Sequence, residues 1–372
     1  MAGTPILDLE TPPPPLKSHW LALLLMAAIA GVLANVLPIQ LDGLWALPML
    51  YAGVAVHEVG HLLAARLVGM EAGGLVIGGL MILRSGDRWV TRFEWRRILS
   101  GGLAKPLPKR GEYTSARYLW MVAGGPIATL LLLAASGIAC WQYGAAAPAW
   151  LSTLCWINVL LAFSCLVPYR IGLSRSDASW LLLQWHKPAE SRSWAALLQV
   201  MAQETVGTRP RDWDAEAFDE MMAANSSRAE SSARHMLAFY RRLDEGREAD
   251  ALDHLEGALA ASGLCGRVVR QWCFLEASCS SAILRGKGEQ ARRWLVAARK
   301  VRRPESTRGP EAGIAMAEGR YQDALKLWDE ALAFVARRKL DSGLVRFSKE
   351  RMEFYRGQCR DRAAGPPETA SA

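Results

Sequence analysis

Four runs of apolar residues dominate the first half of the chain. They cover His19 to about Leu37, Trp45 to Val68, about Tyr118–Trp141 and about Trp150–Val167. A helix needs about 20 apolar residues to cross a hydrocarbon core, so the pattern predicts four transmembrane helices. The first run is too long for a signal-peptide core and lacks a basic n-region and an A-x-A site. Trp20, Trp45, Trp120, Trp141 and Trp150 fall at predicted ends, where indole rings favour the membrane interface. The second run is broken only by His57, Glu58, His61 and Arg66.

Between the second and third runs, Gly73–Leu83 (GGLVIGGLMIL) is apolar but too short to span, and its glycines disfavour a helix. It reads as a re-entrant hairpin, an interfacial strand pair or a buried cytoplasmic strand. From about Trp180 the pattern changes to apolar residues at three-to-four spacing, which predicts helices. Three segments there share one arrangement: Gly246, Ala251, Leu255 and Ala258 match Gly286, Ala291, Leu295 and Ala298, then Gly319, Ala324, Trp328 and Ala331. The last copy, Gly319-Arg-Tyr-Gln-Asp-Ala324, resembles a tetratricopeptide repeat, and the spacing of the copies is close to that family's period. An irregular helical bundle fits the same pattern.

The resulting fold class is an all-α membrane protein with about four transmembrane helices and a candidate re-entrant hairpin, followed by a cytoplasmic α-helical repeat domain. The expected segments are a disordered Pro-rich stretch at 1–17, a membrane domain at 18–179, a helical connector at 180–239, a tetratricopeptide-like domain at 240–360 and a disordered tail at 361–372. Within the connector, Asn225-Ser-Ser-Arg reads as a loop.

Charge then orients the spans. The formal net charge is +8 over 372 residues. Much of the excess sits in 84–117, as Arg84, Arg88, Arg92, Arg96, Arg97, Lys105, Lys109, Arg110 and Arg117, opposed only by Asp87, Glu94 and Glu112. The other short connections between spans carry a single charge, Asp42. The positive-inside rule makes the basic loop and both termini cytoplasmic, and it accounts for the charge without nucleic acid. The Ala- and Arg-rich composition is compatible with a bacterial inner membrane. The seven cysteines form no C-x-x-C pair, so neither a zinc ribbon nor a redox motif is indicated.

His57-Glu58-Val-Gly-His61 is the sharpest chemical signal. On a helix, positions i and i+4 share a face, so both imidazoles reach one ion. Zinc suits imidazole nitrogens and keeps an open position for water at a catalytic site, while Glu58 stands where it can take that water's proton. Each charged group in mid-span costs about 2.5–3.5 kcal/mol on insertion scales, so three ionisable residues in one apolar run point to function. A metal-free polar face inside a helix bundle is the bland reading. Gly53 and Gly60 permit close approach of neighbouring helices or a substrate backbone. A third ligand is wanted. Asp177 reaches the same side after the fourth run, although before Ala178–Gln184 it also reads as a helix cap or a solvated acid; His186 and Glu190 are weaker substitutes.

These residues resemble the site-2 protease family of intramembrane metalloproteases, over about residues 45–180. The resemblance implies one zinc ion held by His57, His61 and Asp177, with Glu58 as the catalytic base. It also implies hydrolysis of a peptide bond in or near a transmembrane segment of a membrane-protein substrate, the chemistry of regulated intramembrane proteolysis. Ala123-Gly124-Gly125-Pro126 resembles the family's Gly-Pro motif, so Gly125 and Pro126 are expected to support the site. The chain departs from the pattern where Ala178, instead of glycine, follows Asp177 and where Cys165 stands three residues before Pro168. Asn158 is the candidate for the missing amide. A protein partner at the helical repeats is a further expectation. A metal-binding transporter or sensor and a non-catalytic scaffold are the competing classes.

Overall fold

The computed structural model describes residues 5–8, 42–95, 98, 101–108, 115–171, 174–223, 228–338 and 340–364. The first predicted span, His19 to Leu37, lies outside the described residues, as do the Pro12–Pro15 run, residues 225–227 of the expected loop, Arg96, Arg97, Lys109 and Arg110 of the basic loop, and the tail beyond 364. The described chain is mostly helical, in keeping with the expected class, and carries one four-stranded sheet. By its contacts it divides into two units, Lys17–Gln203 with Asp214–Ala224, and Met1–Leu16 with Glu204–Trp213 and Asn225–Ala372.

In the first unit, helix α1 (Gly43–Leu67) starts at Asp42, whose carboxylate accepts the Leu44 N–H. This satisfies one of the donors that a helix start leaves open. Its 25 residues give a rod about 37 Å long at 1.5 Å per residue. Helices α2 (Ser115–Tyr143) and α3 (Ala149–Leu166) pack against it. Gly60 of α1 and Gly124 of α2 meet backbone to backbone: a Cβ on either would overlap the other's carbonyl oxygen. Gly53 packs likewise under Leu161 and Asn158 of α3. The two glycines expected to allow close approach therefore receive neighbouring helices.

Two stretches among the described residues, Ala116–Ala146 and Ala149–Leu166, are long and apolar enough to cross a membrane. Helix α1 has the length, but its ionisable residues lower its apolar character. All three helices are inside-out compared with a water-soluble bundle. Thr129, Ser136, Thr153 and Asn158 are buried between helices, whereas Leu63 (60% exposed), Leu131 (67%) and Trp141 (83%) face outward. Soluble monomers rarely expose such contiguous apolar faces.

Residues 71–107 fold as strands β1 (Glu71–Ile77), β2 (Leu80–Ser85), β3 (Arg88–Phe93) and β4 (Gly102–Leu107), antiparallel in the order β3-β2-β1-β4. Of the alternatives for Gly73–Leu83, a strand pair is what forms. Gly78 takes φ +54° in the β1–β2 turn, a backbone region glycine enters without steric cost. After α3, the short strands β5 (Arg170–Ile171) and β6 (Ser174–Arg175) form a hairpin leading into α4 (Asp177–His186) and α5 (Pro188–Thr205). Trp180 and Trp194 of these helices stack at 4.6 Å between centroids and cover a cluster of Ala65, Met70, Tyr118, Met121 and Val122. Helix α6 (Ala215–Ala223) returns to the same unit.

The second unit is built as successive helix pairs: α7 (Arg228–Asp244) with α8 (Glu248–Ala261), α9 (Arg267–Ile283) with α10 (Gly288–Val301), and α11 (Arg308–Ala317) with α12 (Tyr321–Arg337), closed by α13 (Gly343–Ala363). The three matched sequence copies occupy equivalent places. Gly246, Gly286 and Gly319 sit in the turn of each pair with φ +76°, +63° and +75°, and all nine matched Ala, Leu and Trp positions are buried. Polarity here is conventional, with Phe239, Leu255, Phe274 and Trp294 inside and many ion pairs on the surface. Within the N-terminus expected to be disordered, Ile6–Asp8 form a 3-10 turn with Leu7 buried in this core.

Candidate metal centre

Helix periodicity puts His57, Glu58 and His61 on the inner side of α1, where a cavity of about 340 Å³ opens against β4, α2, α3 and α4. The two imidazoles meet edge to face with their Nε2 atoms 3.1 Å apart. Asp177 completes the group, its Oδ2 3.2 Å from His57 Nε2 and its Oδ1 3.5 Å from His61 Nε2. It is free to do so because its neighbour Ser176 caps α4, accepting the N–H groups of Ser179 and Tyr169 on its Oγ. The cap and the acid are thus adjacent residues with separate tasks. Glu190 is engaged by Arg175 at 2.8 Å, and His186 ends α4 away from this cavity lining.

The other ring nitrogens decide the protonation pattern. His61 Nδ1 lies 2.9 Å from the Met121 carbonyl oxygen, which can only accept, so the proton sits on Nδ1. The 3.3 Å approach of the Gly125 N–H to the same nitrogen is then a close contact and not a bond. Pro126, lacking an N–H, opens the α2 turn at this point. His57 Nδ1 lies 2.8 Å from Thr129 Oγ1 and can donate to it in the same way. Both Nε2 lone pairs and a carboxylate then converge on one point, which is unfavourable unless a cation stands there. A tetrahedral ion with bonds of about 2.05 Å needs ligand atoms about 3.3 Å apart, near the 3.1 Å between the two Nε2 atoms and the 3.2 and 3.5 Å from them to the two Asp177 oxygens, and one ligand atom from each residue lies within 4.8 Å of the others. The residues fit a divalent ion of the zinc type.

Gly125 marks the space. A Cβ there would overlap the Nε2 atom of His61 and lie 2.8 Å from that of His57. Its motif partner Pro126 lies beside it in α2. Asn158 is placed differently. Its amide donates to the Leu154 carbonyl, its Oδ1 faces Gly53 without a hydrogen bond, and it does not line the cavity.

Glu58 is buried and lines the same cavity. The backbone N–H of Ala104 donates to its carboxylate, and Gly102 passes so close that any Cβ there would overlap the Glu58 side chain. Thr129, the Met121 carbonyl and the Gly102–Ala104 stretch are participants that the sequence reading did not include. Thr129 had a visible signal, a hydroxyl in an apolar run one helical turn beyond Gly125. The other two act through backbone atoms, which side-chain identity does not reveal.

Fold and centre together define a helical protein with a partly buried cluster of two histidines and an aspartate, a set that could hold a metal ion, beside a glutamate. Comparison with known families agrees: residues 45–145 match the family model described as Peptidase family M50. The matched stretch contains His57, Glu58, His61, Gly125 and Pro126, and ends before Asp177 and the second unit. No curated protein and no solved structure matches the chain.

Proposed function

We propose that the chain is an intramembrane zinc endopeptidase of the site-2 protease type, cutting a peptide bond in or near a transmembrane segment of another membrane protein. The observation that carries this is the convergence of His57, His61 and Asp177 on one point beside Glu58, on helices whose outward faces are apolar. The peptidase-family match, which covers His57, Glu58 and His61 but ends before Asp177, supports it. Helix α1 is then a third described span despite His57, Glu58 and His61, which line the cavity, while Arg66 is exposed in its last turn. The basic loop after it orients the protein with that loop on the cytoplasmic side of a bacterial inner membrane.

His57, His61 and Asp177 would hold the ion, which supplies a Lewis acid that lowers the pKa of water to roughly 7. Glu58 takes a proton from the attacking water on its carboxylate and returns it to the leaving amide nitrogen. The Ala104 N–H holds that carboxylate in place, and Thr129 and the Met121 carbonyl keep both Nε2 atoms directed at the metal point.

A transmembrane substrate must unwind before its carbonyls can be attacked, and an unwound strand can be held by strand addition. Strands β1 and β2 cannot receive it, because each is paired on both sides; Gly74, for example, faces both Leu83 and Lys105. The strand is instead received at the sheet edge at β4, the strand that touches Glu58. The helix pairs of the second unit form tetratricopeptide-like repeats that recruit a protein partner or the cytoplasmic part of the substrate.

The decisive experiment compares Glu58→Ala with His57→Ala in purified, detergent-solubilised protein. Glu58→Ala should keep one equivalent of zinc by elemental analysis and lose cleavage of a membrane-protein substrate, by a factor of about 10²–10⁴. His57→Ala should lose both. Cleavage undiminished by Glu58→Ala would remove Glu58 as the catalytic base, and zinc bound without any cleavage by the intact protein would remove the protease reading and favour a metal sensor or transporter.

A further inference from the structure

The N-terminal turn is seated in the second unit as a ligand sits in a receptor. The N–H groups of Ile6 and Leu7 both donate to the carboxylate of Glu256, at 2.6 and 2.8 Å. The Leu7 carbonyl accepts the indole N–H of Trp294 at 3.1 Å, and the Leu7 side chain, 2% exposed, is part of the hydrophobic core. Asp8 is gripped from both sides, by Arg285 at 2.7 Å and Lys287 at 2.8 Å. These two bases hold its carboxyl below the usual carboxylate range. Backbone donors, a backbone acceptor, a buried side chain and a charge are therefore all read within three residues. A chain end resting incidentally on a surface would satisfy few of these.

We infer that the helical unit is a receptor for an apolar-apolar-acidic peptide, and that its resident ligand is the chain's own Ile6-Leu7-Asp8. Glu256 and Trp294 recognise the backbone, the Leu7 pocket selects a branched apolar side chain, and Arg285 with Lys287 selects the acid after it. The clip also constrains topology. Residues 6–8 and the helical unit must lie on one side of the membrane, so the chain between them crosses an even number of times. This parity step rests on the membrane reading proposed above; the clip itself does not.

The test uses the full-length protein in native vesicles. Leucine's diazirine analogue, installed at position 7, should photo-crosslink within the same chain to the tryptic peptide that begins at Trp294. Tags at the two chain ends should be cut by added protease together or spared together. A labelled peptide of residues 3–10 (GTPILDLE) should bind Leu7→Asp or Asp8→Lys protein at least tenfold more tightly than the intact chain, whose site is filled. Asp8→Lys leaves the buried core untouched and serves if Leu7→Asp fails to fold. Absence of the crosslink, tags on opposite sides, or equal peptide binding by intact and Asp8→Lys protein would overturn the clip. The crosslink and peptide results do not depend on cleavage or metal, so they can fail or succeed independently of the protease assignment.

Discussion

The two units distribute polarity in opposite ways, as the proposed membrane reading requires of one bundle in lipid and one in water. In the helical unit, Leu255, Phe274 and Trp294 are buried and ion pairs such as Arg299–Glu311 face out, although the Glu230–Arg234 pair is buried. In the unit with the His57–His61–Asp177 cluster, Thr129, Thr153, Asn158, Glu58 and His61 are buried while Leu63, Leu131 and Trp141 face out. Hydrocarbon offers apolar side chains a neutral reception and polar ones a severe penalty. A bundle in lipid therefore turns its polar groups inward and is held by close contact of small residues such as Gly60 and Gly124. The polar interior is what makes a metal centre available there. The apolar interior of the second unit makes it a scaffold, whose recognition features lie in turns and grooves.

Substitutions can break this contrast in order of severity. The largest effect is expected from Gly125→Val, which fills the metal point: zinc should fall well below one equivalent, with cleavage lost. Gly266→Ala, at a helix N-cap in the second unit with nothing within 4 Å of an added Cβ, should cost about 0.5–1 kcal/mol of stability and leave zinc unchanged. Next, Leu131→Arg on the outward face of α2 should cost about 2.5–3.5 kcal/mol of membrane insertion, read as loss of integrated protein. Val296→Arg is also at an outward apolar position, 48% exposed in α10. It should stay within about 0.5 kcal/mol of the parent by thermal melting. Equal tolerance at the two positions would deny that the units face different solvents.

Thr129→Val removes the oxygen opposite His57 Nδ1 while keeping the shape of the side chain. Zinc affinity, by competition with a chelator, should fall about 10–100-fold, with the helical unit unaffected. The smallest effect concerns the His235–His254 pair, whose Nδ1 atoms are 3.1 Å apart across α7 and α8. Burial, with the neighbouring His235 and Arg242, lowers His254 to about 4, against the opposing pull of Asp250 and Asp253. The unfolded chain then binds its proton at higher pH than the folded one. The pair's contribution is fully present above about pH 6.5 and is lost as pH falls towards 4, by about 1–2 kcal/mol after allowance for solvent screening. Denaturant melts at pH 7 and pH 5 should show the drop, and His254→Gln should flatten it.

Much of this architecture was legible along the chain because it depends on local spacing. The i, i+4 histidines, the apolar runs from Trp45, Tyr118 and Trp150, and the glycine-and-alanine pattern of the helix pairs are all one-dimensional facts with a helical consequence. Asp177 was placed on the correct side by the order of the apolar runs, but preferring it as a ligand over a helix cap or solvated acid leaned on the resemblance. Ser176 turns out to take the cap and leave the acid available. The four strands in 71–107 were legible only as far as the Gly73–Leu83 pair, because β3 and β4 are polar or broken by glycine and proline.

By itself, then, the order of residues determined which helices form, which of their faces carry chemistry, and that two imidazoles and a glutamate share a turn. Only the tertiary structure decided that Thr129 and the Met121 carbonyl orient those imidazoles, that β4 and not β1 meets Glu58, and that Leu7 lies against Trp294. The physical reason is range: periodicity acts over one or two turns, whereas backbone donors, carbonyls and pockets drawn from distant segments have no signature until the chain has closed around them.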